Sequence, residues 1–334
     1  VAICNENAST NYDYLVAQFN PSSLAAIGSP STYDYANLID IPLGIEIDSS
    51  TGDILLIGGS QSSLITSAYA LVVFDGNTLA YISDSRTDLV GSPNDQPLAY
   101  VKDASNNIYI TGKTWSGTNY NIRTVKINSS YTIAWNVTLD VNGMDDIGNS
   151  IALDPTNGNV IIGGLYTRSG NITDMISVRY NGSTGSAIGS PFKQSAQNAT
   201  GNAVIKKLVT SPAGNVYFVA GEKGNSGLMQ VLVGRLNASS APNWQRQIVH
   251  ASEDIKPSDI MWTTDGIYAI SVVDSVTDSY LTTGYEETNL DTTRKYRGGK
   301  PFCKERELLV SFLPTAMNKT TVNNSSGTGD REFG

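Results

Sequence analysis

The chain carries one histidine in 334 residues, His250, in "RQIVHASED". Nucleophilic triads usually take histidine as their base, and zinc sites are commonly built on it. A single copy excludes multi-histidine metal sites, and His250 reads as a strand-end residue. Charge is also sparse: Asp, Glu, Lys and Arg make up 16% of the chain. The net charge of −9 argues against nucleic acid and anionic membranes as partners. No apolar run reaches transmembrane length, so no membrane insertion is expected. Walker and dinucleotide-binding fingerprints are missing. The chain begins without Met or a signal-peptide pattern and reads as a mature segment. Long helical patterns are missing too, whereas Ser, Thr, Asn and Gly are abundant.

What is present is a repeat. Turn residues followed by a short apolar strand recur at "GDILLIGG", "NNIYITG", "GNVIIGG", "GNVYFVAG" and "DGIYAIS". Their anchors are Ile54, Ile108, Val160, Val216 and Ile267, spaced 54, 52, 56 and 51 residues apart. Four positions after each anchor the residue is small: Gly58, Gly112, Gly164, Ala220 and Ser271. A second motif, a large apolar residue followed by Asn or Asp, recurs at Phe19-Asn20, Phe74-Asp75, Ile127-Asn128, Tyr180-Asn181 and Leu236-Asn237. Eight residues on come Ile27, Ile82, Trp135, Ile188 and Trp244. Alternation of apolar and polar residues before the second motif marks strands with one buried face. The Asn or Asp suits a tight turn, because its side chain can bond nearby backbone. Apolar runs ahead of the anchors ("PLGIEID", "PLAYVKD", "NSIALD", "IKKLVTS", "SDIMWTT") supply one more strand. The unit is therefore a four-stranded sheet of about fifty residues, and its repetition predicts an all-β chain, a β-propeller.

These units resemble the secreted β-propeller repeats of the SBBP and delta-60 type. "DASNNIYITG…VKIN", "DPTNGNVIIGG…VRYN" and "SPAGNVYFVAG…GRLN" carry the likeness, over roughly residues 11 to 290. The double glycines also resemble kelch repeats, the weaker alternative. A WD-type propeller is disfavoured, with no Trp-Asp pair. The expectation is a propeller over 1–313 and a polar tail or linker over 314–334. Six blades are expected, one split between the termini by pairing "YLVAQFN" and the Ile27 strand with "ELLVSFLP"; five or seven are the alternatives. A disulfide between Cys4, just before the first predicted strand, and Cys303 would staple that blade. It would close a loop of about 300 residues, worth roughly several kcal/mol.

Ten Asn-x-Ser/Thr sequons are present: Asn7, Asn128, Asn136, Asn171, Asn181, Asn198, Asn237, Asn318, Asn323 and Asn324. Asn128, Asn181 and Asn237 share one repeated turn, where a glycan would face solvent. Together with the composition they imply a secreted, extracellular, eukaryotic glycoprotein. One segment departs from the acidic balance. "RKYRGGKPFCKER" (294–306) holds Arg294, Lys295, Arg297, Lys300, Lys304 and Arg306 against one Glu, a net of +5, which leaves −14 elsewhere. It reads as a solvated charge run or as an assembly contact with an acidic surface.

No catalytic constellation is legible, and no cofactor is called for. Asp84, Asp88, Asp145-Asp146 and Glu253-Asp254 lie between predicted fourth and first strands, where Asp is normally a turn residue. Paired carboxylates there could serve a glycosidase, or bind Ca²⁺ through oxygen. The leading expectation is a non-enzymatic structural glycoprotein of a filament, flagellar hair or surface coat, partnered by itself or by other extracellular glycoproteins. The second is a carbohydrate-binding propeller using Trp115, Tyr120 and Tyr166 on glycans. The third is a carboxylate-based glycan-active enzyme.

Overall fold

A computed structural model describes residues 2–7, 11–63, 66–87, 95–249, 252–264, 266–274, 279–285, 308–311, 321–322 and 331–332. His250, Asp88, Cys303, residues 294–306, Asn318, Asn323 and Asn324 lie outside them. Every regular element among the described residues is a strand.

The elements follow the repeat. The first sheet holds β1 (Ala2–Asn7), β2 (Asn11–Phe19) and β3 (Ala26–Tyr33). The second holds β4 (Asp40–Ile47), β5 (Ile54–Ser63), β6 (Thr66–Phe74) and β7 (Tyr81–Arg86) in that order. The third holds β8 (Gln96–Lys102), β9 (Ile108–Trp115), β10 (Tyr120–Ile127) and β11 (Ile133–Leu139). Next come β12 (Asp146–Leu153), β13 (Val160–Ser169), β14 (Ile172–Tyr180) and the short β15 (Phe192–Gln194). The fifth comprises β16 (Ala203–Thr210), β17 (Val216–Lys223), β18 (Met229–Leu236) and β19 (Pro242–Ile248). The last joins β20 (Asp254–Thr263), β21 (Gly266–Asp274), β22 (Ser279–Tyr285), β23 (Leu308–Ser311), β24 (Thr321–Val322) and β25 (Arg331–Glu332). Among the described residues, four of the six sheets are the four-stranded antiparallel unit that the repeat predicts, in an all-β, propeller-type succession.

Two terminal expectations are corrected. The N-terminal sheet has three strands, and Cys4 lies inside β1, opposite Tyr14, rather than ahead of the first strand. "ELLVSFLP" does not join that sheet: β23 pairs with β22 through Ser279↔Ser311 and Tyr280↔Val310. In both cases hairpin-like pairing with the sequence neighbour supplies the backbone partners that the split blade would have drawn from the far terminus.

The small residue four after each anchor has a structural cause. In four sheets the first strand bulges opposite it. The register shifts at Pro42/Gly44 beside Gly58, and at Pro97/Ala99 beside Gly112. It shifts again at Ile205/Lys207 beside Ala220, and at Pro257/Asp259 beside Ser271. A Cβ on Gly58 would meet the Ile41 carbonyl oxygen at 2.2 Å, and one on Gly112 the Gln96 oxygen at 2.0 Å. The extra residues Leu43, Leu98, Lys206 and Ser258 are all exposed, as expected where a bulge leaves one residue unpaired.

The repeated turns behave as their chemistry requires. The Oδ1 atoms of Asn20, Asp75, Asn128 and Asn237 each accept two backbone N–H groups from the following two to four residues.

The chain divides into two compact units, Val1–Ile151 with Gly182–Gly185, and Ala152–Asn181 with Ser186–Gly334. In the first unit, Leu55, Ile57, Tyr69, Leu71 and Val73 pack with Ile108, Ile110, Val125 and Ile127 of the next sheet, all fully buried. In the second, Ile161 and Met175 pack with Ile205, Phe218 and Leu232. Each such side chain contributes about 1.5–3 kcal/mol on leaving water.

Candidate functional site

The first unit brings three carboxyl groups together. Asp13 is near the start of β2, Asp34 follows the last residue of β3, and Asp40 opens β4. One oxygen from each lies within 4.8 Å of the others. Asp13 and Asp40 are buried, at 2% and 0% exposure, and Asp34 is exposed.

Local chemistry holds the arrangement. Asp40 Oδ2 accepts the Tyr35 backbone N–H at 2.8 Å, which folds the β3–β4 connection back onto the strand. The Ser60 hydroxyl on β5 donates to Asp40 Oδ1. Arg86, the last residue of β7, donates to that hydroxyl and, at 3.1 Å, to the Ser60 carbonyl. The Arg86 guanidinium lies over the Tyr35 ring, 3.6 Å from its centroid. Burial pushes the Asp40 carboxyl up to about 6, and Asp34 adds to the rise. Ser60, the Tyr35 N–H and Arg86 pull it the other way without cancelling the burial. Half-buried Tyr35 and exposed Tyr12 sit beside Asp34 and Asp13 in sequence. Arranged this way, the cluster can hold a proton at Asp40 well above the usual carboxylate range and present one carboxyl, Asp34, to a ligand.

A sequence signal for this cluster exists. One repeat position lies six residues before the end of each third strand; another lies 13 or 14 before the following anchor. The pairs are Asp13/Asp40, Ala68/Asp95, Asn121/Asp146, Asp174/Asn202 and Gln230/Asp254. Acid meets acid only in the first.

Of the acids singled out from sequence, Asp84, Asp145, Asp146 and Asp254 do other work. Tyr81 donates to Asp84, which belongs to β7, at 2.5 Å. Asp145 Oδ1 accepts the Tyr120 N–H at 2.8 Å, and Asp254 Oδ1 accepts the Met229 N–H at 2.7 Å. Asn202 serves the Thr173 N–H in the same way at 3.0 Å. Asp146 Oδ2 accepts the Val141 N–H. Apart from Asp84, which is bonded within its own strand, these side chains tie the start of a first strand to the third strand before it or close a turn.

The aromatic loops are split by the structure. Trp115 and Tyr120 face each other across the β9–β10 hairpin, 4.9 Å between ring centroids, and are half-buried. Tyr166 is buried, and its hydroxyl donates to Asp174 at 3.0 Å, so it is a packing residue rather than a loop platform.

Among the sequons, Asn136, Asn171 and Asn237 are exposed, whereas Asn128, Asn181 and Asn198 are half-buried. Asn7 closes β1.

No family model matches the chain, and no curated protein matches it. Solved structures do. A Bacteroides uniformis protein described as a 6-phosphogluconolactonase is 13% identical, with a TM-score of 0.48, over 94% of this chain and 85% of that one. A thermostable family-43 glycoside hydrolase is 13% identical at a TM-score of 0.42, over 77% and 93%. A polysaccharide lyase is 9% identical at 0.48, over 96% and 83%. Likeness at this level concerns the fold. The expectation of a non-enzymatic subunit of a filament, hair or coat is withdrawn on the carboxyl cluster that the sequence reading missed.

Proposed function

We propose that the protein is a carboxylate-based enzyme acting on glycans, with Asp34 as the group that touches substrate. The carrying observation is one exposed carboxyl clustered with two buried ones, with the Asp40 pKa lifted to about 6. A carboxyl of that kind is the usual acid or base for cleaving a glycosidic linkage. Asp40 acts through Asp34 as a positioning residue, keeping a proton in the cluster at mildly acidic pH. Tyr35 and Tyr12 offer ring surface beside the polar groups, the usual lining of a ligand site. We read this activity as extracellular; the sequons and the resemblance of the repeats to secreted SBBP and delta-60 units support that reading.

A panel of plant, algal and animal polysaccharides tests it, read by reducing-end release and by ultraviolet absorbance of unsaturated products. Product formed by the native chain and lost in Asp34→Asn supports the proposal. No product across the panel, or product undiminished in Asp34→Asn, overturns it.

The 4.8 Å oxygen cluster also suits a hard cation such as Ca²⁺. That second reading requires a Ca²⁺-dependent rise in melting temperature above pH 6, where Asp40 is ionised, abolished by Asp13→Asn.

A further inference from the structure

A buried cation orients one sequon. Arg123 on β10 is fully buried, paired with Asp95 and donating to the Thr87 carbonyl at 3.0 Å. Its Nε donates to Asn136 Oδ1 at 3.1 Å. Asn136 lies on β11, the edge strand of its sheet, in the order β11-β10-β9-β8. The antiparallel register sets Val125 opposite Asn136 and Arg123 opposite Thr138. Residues two apart share a strand face, so both members of the sequon, Asn136 and Thr138, project from one face beside Arg123. Both are exposed, while Trp135 between them and the turn is buried on the other face, its Nε1 donating to the Gly182 carbonyl at 3.1 Å. With Oδ1 taken up by the guanidinium, the amide of this exposed residue keeps Nδ2 as its attachment atom.

We propose that Asn136 carries an N-linked glycan, oriented by Arg123, which shields the open edge of β11. An unprotected edge presents backbone N–H and C=O groups to other chains. A sugar rooted mid-strand blocks strand addition there, whereas glycans at turns, such as Asn171 or Asn237, leave the edge open. The proposal stands independently of the carboxyl cluster.

The test uses the full chain secreted from a eukaryotic host. Enzymatic deglycosylation in heavy-oxygen water converts each glycosylated Asn to labelled Asp, located by peptide mass mapping. Label at Asn136 in most molecules, and loss of one glycan increment from the intact mass in both Asn136→Gln and Thr138→Ala, is the expected result. An unlabelled Asn136, whether or not other sequons are labelled, overturns the proposal. Sedimentation then reads the shielding: Asn136→Gln is expected to self-associate at lower concentration than Asn171→Gln. Equal behaviour of the two overturns the shielding role.

Discussion

The hydroxyl of Tyr14 on β2 donates to the backbone carbonyl of Gly59 on β5 at 2.9 Å, and the hydroxyl of Tyr69 on β6 repeats the bond one sheet later, to the carbonyl of Lys113 on β9 at 3.3 Å. Both tyrosines are fully buried. Each crosses from one sheet to the second strand of the next, and passes the glycine that faces the bulge. A Cβ on Gly58 would lie 2.5 Å from the Tyr14 hydroxyl oxygen, and one on Gly112 2.8 Å from that of Tyr69. The small residue, the bulge and the tyrosine form one inter-sheet joint.

Cutting that joint is expected to cost stability in two distinct ways. Tyr14→Phe removes one hydrogen bond and should cost about 0.5–1.5 kcal/mol. Gly58→Ala overpacks backbone against backbone and should cost about 1–3 kcal/mol. Urea unfolding checks both: the midpoint should fall while the slope is unchanged.

Activity should depend on pH through Asp40 even though Asp40 is not exposed. In the native chain, turnover is expected to decline as pH rises through about 6, where Asp40 loses its proton. In Asp40→Asn that limb should vanish or move, while Asp34→Asn should abolish turnover at every pH. Replacing Arg86 by Met removes a positive charge that lowers the Asp40 pKa, so the limb should shift to higher pH. An Arg86→Met profile identical to the native one would show that the limb belongs to another group.

Stability should respond to pH with opposite signs at two buried aspartates. The pKa of Asp40 is raised from 3.8 to about 6, so its contribution is complete below pH 4 and is lost as pH rises through 6. At about 1.4 kcal/mol per pK unit the native chain should lose up to about 3 kcal/mol relative to Asp40→Asn across that window. Asp48 runs the other way. Burial raises its pKa, but hydrogen bonds from the Ser50 hydroxyl and N–H, the Tyr131 hydroxyl and the Thr51 N–H outweigh it, and the net shift is down. Its contribution is present above the usual carboxylate pKa and is lost as pH falls below it. Melting temperatures of the native chain, Asp40→Asn and Asp48→Asn from pH 3 to 7 separate the two.

Arg123 and Asp95 form an ion pair with both side chains out of water. Removing one partner strands a buried charge, and Arg123→Met is expected to cost about 3–5 kcal/mol. The double replacement Arg123→Met with Asp95→Leu should recover much of that loss. A double variant no more stable than the single would mean that Arg123 acts mainly through Thr87 and Asn136.

The period, the strands of the repeated unit and their turns were legible in the sequence, because each of these is local, whereas β1 lay outside the repeat and was not. Alternation sets which strand face is buried, an Asn or Asp side chain closes its own turn, and a glycine such as Gly58 marks a place where no Cβ fits. What only the tertiary structure decided is which side chains meet. Asp13 and Asp40 stand 27 positions apart on different sheets, and Asp40, which opens β4, does not differ locally from Asp254, which opens β20. Packing of the first sheet on the second buries the pair beside Asp34 and withdraws water from Asp40, and that desolvation, absent from any local pattern, raises its proton affinity. The same holds in reverse for Tyr166: its loop reads as a platform in sequence, but burial against Asp174 uses its hydroxyl internally. Likewise the pairing of β23 with β22 was decided by backbone partners within reach of the folded chain, not by the repeat pattern that had assigned it to the opposite terminus.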